Sequence, residues 1–379
     1  MTAAALVLLA ISGALFAWSY LGYPRWIRAR AKASGPSVPP PDAGSPAVEV
    51  LVSAADEERV IEGRVRNLLL QEAPGPYRVV IACDGSRDAT AQRARAAGDA
   101  RVHVVEFPLR RGKAAVLNAL ISASEADVLV FTDANTSFEG GAVRALCAAL
   151  ADPRAGAACG RLLLEAGENA GETPEAVFWD RETSVKQAEG RLGVCLGANG
   201  AIYAARRADA APIPPDTTSM DDFLIPLGAI RHGRTIVFAP DAVAREAAAR
   251  TAAAEASRRF RIGIGAGQVL RRERWLWNLR RRRLLAVAFL SRKVARWVAP
   301  LFFLLSAAAA LGSPVLRIAG GGVLGAAALA ALSLPLGLPA RGAAGRLYYF
   351  AVINLALAAG VAAGLAGYRR PVWKPVARS

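Results

Sequence analysis

The sequence predicts an α/β fold, a domain built on a mostly parallel sheet, joined to transmembrane α-helices. Two observations carry that expectation. Residues from about 45 to 280 alternate short β-rich apolar runs with helical stretches, the pattern of a parallel sheet covered on both faces. The apolar residues, 54% of the 379, concentrate outside that stretch in runs long enough to enter a bilayer.

The elements follow in order. Ala3 to Leu21 is an almost uninterrupted apolar run with Trp18, Tyr20 and Tyr23 at its far end, and residues 1–23 read as a membrane anchor held by interfacial aromatics. A cleaved signal peptide would begin with basic residues and end in a small-x-small site, which this run lacks. Arg25, Arg28, Arg30 and Lys32 come directly after it, so the positive-inside bias turns the following domain toward the cytoplasm and predicts a multi-pass protein of the cell (inner) membrane. Pro36 to Pro46 is a Pro/Gly/Ser linker to the soluble domain, residues 45–280. Within it, Val48 to Ser53, Tyr77 to Cys83, Val102 to Glu106 and Asp127 to Phe131 read as strands. Glu57 to Leu70, Asp88 to Ala97 and Lys113 to Ser122 read as the intervening helices.

Residues 281–297 carry Arg292, Lys293 and Arg296 among apolar side chains, which predicts an amphipathic helix lying at the interface and ended by Pro300. Residues 298–368 then divide into three expected spans, Val298 to Leu311, Ile318 to Leu338 and Leu347 to Leu365. Three spans would carry Arg369, Arg370, Lys374 and Arg378 to the outside, against the positive-inside bias, so the number of spans stays open.

The net charge of +16 raises the question of nucleic acid. The cations instead gather beside the apolar runs, at Arg25 to Lys32 and Arg271 to Arg283, where anionic headgroups favour them. Membrane lipids are therefore the expected partner and nucleic acid is not. Cys83, Cys147, Cys159 and Cys195 have no C-x-x-C spacing and only His103 and His232 accompany them, which excludes a zinc site and reads as buried thiols in a reducing compartment.

Ligands of parallel α/β sheets bind beyond the carboxyl ends of the strands. Three predicted strand ends carry acids, in VSAADEE, ACDGSRDAT and FTDANT, centred on Asp56 to Glu58, Asp84 and Asp133. Any one of these is an ordinary turn or N-cap, and the three together point to a site.

The order of these motifs resembles the family 2 glycosyltransferases of the GT-A (Rossmann-like) fold, over residues 46 to 270, with membrane segments arranged as in integral-membrane polysaccharide synthases. The resemblance implies a nucleotide-sugar donor, UDP-type, and a lipid-linked or glycan acceptor. It places Glu57 on the nucleotide, although Asp56 stands where the family has Asn, and Asp84 on the base. RRGKAAVLNA implies Lys113 near the donor phosphates with Asn118 on the same side of the pocket; a lysine at a helix start suits an anion, and a solvated lysine is the plain alternative. Asp133 with Asn135 occupies the place of the family's Asp-x-Asp, which holds Mg²⁺ or Mn²⁺ on the diphosphate, with Asn135 supplying a neutral oxygen in place of the second carboxylate.

GANGAIYAARR resembles the family's Gly-rich segment and puts Asn199 and Gly200 in the acceptor region, unless it is a simple turn before a strand. In MDDFLIPLG, Asp222 aligns with the catalytic base and Asp221 with its acidic neighbour on the acceptor side; alone, the pair would read as helix-start charges. Arg258 and Arg261 stand where processive members carry Gln-x-x-Arg-Trp, an acceptor element, and attachment to headgroups explains them equally well. The implied activity is an inverting hexosyl transfer in polysaccharide biosynthesis. A polyprenyl-phosphate sugar transferase and a catalytically inactive membrane assembly partner are the alternatives.

Overall fold

A computed structural model describes residues 2–34, 44–165, 174–247, 252–280, 282–323, 325 and 342–369. The chain divides into two compact units, one principally Ile27–Ala248 and the other principally Met1–Trp26 with Ala249–Arg370. The strands are β1 (Val48–Ala54), β2 (Tyr77–Asp84), β3 (Val102–Phe107), β4 (Val128–Asp133), β5 (Thr136–Phe138), β6 (Ala155–Glu165), β7 (Tyr203–Arg206) and β8 (Thr235–Ala247). The helices, in chain order, are α1 (Thr2–Ala17), α2 (Tyr23–Ala33), α3 (Ile61–Leu69), α4 (Thr90–Arg95), α5 (Lys113–Ala123) and α6 (Ala142–Leu150). Then come α7 (Pro174–Arg191), α8 (Asp221–Leu224), α9 (Leu227–Arg231), α10 (Ala252–Arg272), α11 (Arg283–Ala288) and α12 (Ala295–Leu311). A final helix spans Gly342–Leu365.

In the α/β unit the strands form one sheet in the order β3-β2-β1-β4-β7-β6-β8-β5. The first four are parallel, as predicted, and β1 lies between two of them with Val50, Leu51 and Val52 wholly buried, the run that a strand covered on both faces requires. The rest is mixed: β7 runs antiparallel to both β4 and β6, and β5 antiparallel to β8. A helix, α7, separates β6 from β7 in sequence, yet a helical connection permits a parallel crossover without imposing one, so the strand-helix pattern overstates the parallel share. The helix predicted from Glu57 begins only at Ile61, because residues 57–60 form a turn whose peptide groups bond to side chains of the next loop. All four cysteines are free and buried, as expected.

Two helical runs are long and apolar enough to cross a membrane, Thr2–Ala33, of which residues 2–26 belong to the other unit, and Arg283–Leu311, which lies wholly in it. The first continues ten residues beyond the predicted anchor end at Tyr23. Each contains a π-helical turn, Trp18–Gly22 and Phe289–Val294. The runs pair antiparallel through polar side chains: Thr2 Oγ1 with Ser313 Oγ at 2.7 Å, Ser306 Oγ to Ala5 O at 2.8 Å, Ser12 Oγ to Ala299 O at 3.0 Å and Trp18 Nε1 to Ser291 Oγ at 2.9 Å. Such bonds are the expected adhesive where apolar surface gives no association energy.

No helix break marks the predicted boundary between an interface helix, 281–297, and a first span, since Arg283–Leu311 is one helical run. Pro300 lies inside α12, and Arg292, expected at the interface, is 1% exposed. A proline removes one intrahelical bond, and a packed partner helix can sustain the run through that loss. The expected span Ile318 to Leu338 lies mostly outside the described residues, as do the cations after Arg369. Leu347 to Leu365 falls within the helix Gly342–Leu365.

That last helix packs on α10 at backbone contact. A Cβ on Gly263 would lie 2.5 Å from Leu357 O and one on Gly267 2.6 Å from Val361 O, while Gly360 and Gly364 meet the carbonyls of Phe260 and Ile264 in return. Both helices thus carry glycines four apart on the shared face, and only glycine allows that approach. Gly364→Leu is expected to destabilise this pairing by about 1–3 kcal/mol or more, seen as a lower Tm of the detergent-solubilised protein; an unchanged Tm would contradict the contact.

Candidate active site

Parallel strands end their buried runs at one edge of the sheet, so the residues that follow them collect there. The register sets Ser53 of β1 opposite Asp133 of β4, and Ala54 opposite Cys83, the residue before Asp84. The acids predicted from three separate motifs are therefore neighbours along that edge.

The first two loops brace each other. Asp56 adopts a left-handed backbone, φ 58°, which Asp tolerates better than most residues. Its carboxylate accepts from the Arg87 amide at 2.8 Å and pairs with Arg110 at 2.8 Å. Glu57 is half-buried beside it, its amide donating to Thr90 Oγ1 at 2.8 Å. Asp84 is 3% exposed and both its oxygens already accept peptide N–H groups, from Arg111 at 2.6 Å and Gly112 at 2.8 Å. Asp84 thus sets the loop that delivers Lys113 to the start of α5. Asn118, one turn on, exchanges both hydrogen bonds of its amide with the backbone of Ile213, so it anchors that segment.

Lys113 joins the distant acids. Its Nζ lies 2.8 Å from Asp133 Oδ1 and 2.9 Å from Asp221 Oδ2. Burial pulls the ammonium pKa down, and the two carboxylates override it, holding the pKa well above the usual lysine value. Tyr203 completes the floor: its ring stacks on Phe131 with centroids 4.7 Å apart, and its hydroxyl lies 3.4 Å from Asp221 Oδ2. Burial first, then the charges of Asp221, Asp222 and Asp133, push that phenol far above its ordinary pKa, so it stays a neutral donor.

Asp221 and Asp222 open α8 directly after Ser219 and Met220, both in the left-handed region at φ 63° and 77°. Two consecutive non-glycine residues there store backbone strain, of order 1–3 kcal/mol each. The Gly-rich segment holds the pair from behind. The Ala198 amide donates to Asp222 O at 2.7 Å, and Gly197, at φ 77°, leaves no room for a Cβ, which would lie 2.9 Å from the Phe223 ring. A Cβ on Gly200 would stand 3.9 Å from both Asp133 Oδ2 and Asp222 Cβ. Asp133, Gly200, Asp221, Asp222 and Lys113 therefore share one site.

Other predicted residues are placed differently. Asn199 is 2% exposed; its Nδ2 donates to Gly160 O at 2.6 Å and its oxygen meets Lys186 Nζ. Lys186, which the sequence reading passed over, is 3% exposed and also donates to Ala198 O at 2.8 Å, pinning the Gly-rich turn from inside. Arg258 and Arg261 lie on α10 in the helical unit, Arg258 pairing with Glu255 at 3.6 Å.

Among the described residues no three His, Cys, Asp or Glu side chains form a cage able to hold a metal unaided. The donor set at Asp133 fits a magnesium-type cation nonetheless, since such ions need one or two carboxylates and complete their shell with water and phosphate. Asn135 donates through Nδ2 to Glu246 Oε1 at 3.2 Å, and its amide oxygen is a hard ligand of the kind such cations take.

The profile of the family described as Glycosyltransferase like family 2 matches residues 46–265, more than half of the chain. The chain belongs to glycosyltransferase family 2. Among curated family relatives, it is 27% identical to an N-acetylglucosaminyltransferase of Rhizobium meliloti (strain 1021) over 177 residues, 44% of this chain and 41% of that protein. A second N-acetylglucosaminyltransferase, from Azorhizobium caulinodans, is 25% identical over 175 residues, 45% of this chain and 44% of that protein. The chain thus spans less than half the length of the curated relatives it matches. Among solved structures, the mannosyltransferase PcManGT from Pyrobaculum calidifontis, in complex with GDP-Man and Mn²⁺, superimposes with a TM-score of 0.64 at 22% identity, covering 94% of this chain and 99% of that one. That likeness establishes the GT-A-like fold expected of a family 2 glycosyltransferase.

Proposed function

We propose that the chain is an inverting glycosyltransferase, moving a hexosyl group from a nucleoside-diphosphate sugar onto a lipid-linked or polysaccharide acceptor at the cytoplasmic face of the membrane. The observation that supports this most is the meeting of Asp133 and Asp221 on Lys113, with Asp133 and Asp222 both facing Gly200, at the carboxyl edge of a parallel sheet. In this reading Asp222 takes the proton of the acceptor hydroxyl as that oxygen attacks the anomeric carbon from the face opposite the departing diphosphate. Asp221 and Tyr203 orient Lys113, whose ammonium binds the diphosphate oxygens. Asp133, with the Asn135 oxygen, would hold Mg²⁺ or Mn²⁺, which when bound neutralises charge on the leaving group. Gly200, without a side chain, leaves space between the two acids for the sugar. The two long apolar helical runs support a membrane-bound acceptor.

The test is direct. The purified protein is incubated with a panel of UDP- and GDP-sugars, Mn²⁺ or Mg²⁺ and a membrane lipid extract, and nucleoside diphosphate release is measured. Release with one donor, and label passing into the lipid or glycan fraction, is the expected result. If no donor in the panel is turned over, the enzymatic reading fails.

A further inference from the structure

One buried charge beside the site has no role in the scheme above. Arg64 occupies the apolar stripe of α3, between Ile61, Val65 and Leu68, all of them fully buried. It is 3% exposed, and its hydrogen bonds go to neutral groups, the Asn67 amide oxygen at 2.6 Å and Thr132 Oγ1 at 2.7 Å. Its Nε has no partner, and the guanidinium stacks on the Phe138 ring with Cζ 4.3 Å from the centroid. Among the described residues no acid pairs with it. Burial lowers its pKa to about 9, offset in part by Tyr77 and Asp133, so it remains a cation at neutral pH.

A cation in such a place is costly, by several kcal/mol, and an apolar side chain of similar volume would ordinarily be the more stable choice. Packing does not explain it either. Asn67 already ties β5 to α3 through both the amide and the carbonyl of Phe138, at 2.8 and 2.9 Å. What Arg64 adds is position and charge. Its fork holds Thr132, whose hydroxyl donates to Ala201 O at 2.7 Å, so one guanidinium braces the residue before Asp133 and, through it, the residue after Gly200.

We infer that Arg64 is a positioning residue of the donor site, whose unneutralised charge beneath β4 helps hold the diphosphate of the nucleotide. The inference rests on the donor reading proposed above. In a site shielded from water, one uncompensated charge acts on an anion more strongly than a surface lysine would.

Calorimetric titration of GDP and of UDP, each with Mn²⁺, into the full-length protein in nanodiscs tests this without turnover. Arg64→Met is expected to weaken binding of the preferred nucleotide about tenfold, about 1.4 kcal/mol, while Arg64→Lys, which keeps the charge, stays within about threefold of wild type. Thr132→Val removes the hydroxyl bridge and keeps the charge, and is expected to weaken binding by about threefold, less than Arg64→Met. Should Arg64→Met not fold, judged by circular dichroism, the Lys and Val variants decide: a tenfold loss in either overturns the inference. Unchanged affinity in Arg64→Met overturns it too. If neither nucleotide binds the wild-type protein, the donor reading falls and this inference with it; if wild type binds and Arg64→Met matches it, only this inference falls.

Discussion

Asp222→Asn is expected to reduce sugar transfer by about 10²–10⁴-fold, the usual worth of a positioned general base, while leaving nucleotide affinity close to wild type. The substitution keeps the shape of the side chain and removes its capacity to take a proton. The backbone that locates it is secured independently, by the Ala198 amide on Asp222 O and by the strained Ser219–Met220 turn. Steady-state kcat measured beside a calorimetric Kd for the nucleoside diphosphate separates the two properties. Wild-type kcat in this variant would remove Asp222 from the chemistry, whatever the family.

Asp133→Ala is expected to lower Mn²⁺ affinity in the presence of nucleotide by more than about 100-fold, since loss of even an outer-shell partner of a metal typically costs about 10–100-fold. Among the described residues no group of three His, Cys, Asp or Glu could hold the ion in its place. Asp221 is turned toward Lys113 and Tyr203, and Asn135 offers a neutral oxygen. Electron paramagnetic resonance of free Mn²⁺ reports the affinity without relying on turnover. Retention of tight Mn²⁺ binding would mean that the cation is held elsewhere.

The sequence revealed the site at the level of segments and failed at the level of individual contacts. Parallel strands with apolar interiors announce themselves, and the acids after β1, β2 and β4 had to fall on one edge once those strands were adjacent. The Asp133–Lys113–Asp221 chain could not be read, because it joins residues 20 and more than 100 positions apart through side-chain conformation alone. Asn199 and Asn118 illustrate the converse: polar residues inside recognisable motifs, yet engaged with the protein's own backbone.

Arg64 is legible in the sequence. A cation on the i, i+3, i+4, i+7 stripe of an amphipathic helix breaks the pattern that buries its neighbours, and such a break is a signal. Lys186 gives no comparable sign, lying in α7 among Arg181, Glu182 and Glu189. In the helical unit, Pro300 would end an isolated helix, and here it lies within α12, which α1 supports through the Ser12 hydroxyl on Ala299 O.

The backbone contact between α10 and Gly342–Leu365 limits how the protein can be shortened. A truncation ending near Arg272 would keep α10 and delete the helix that its glycines fit, leaving uncovered a groove of peptide carbonyls and apolar side chains that water and detergent solvate poorly. Fragments meant for crystallisation or screening should therefore either stop at the end of β8 or retain the chain through Leu365.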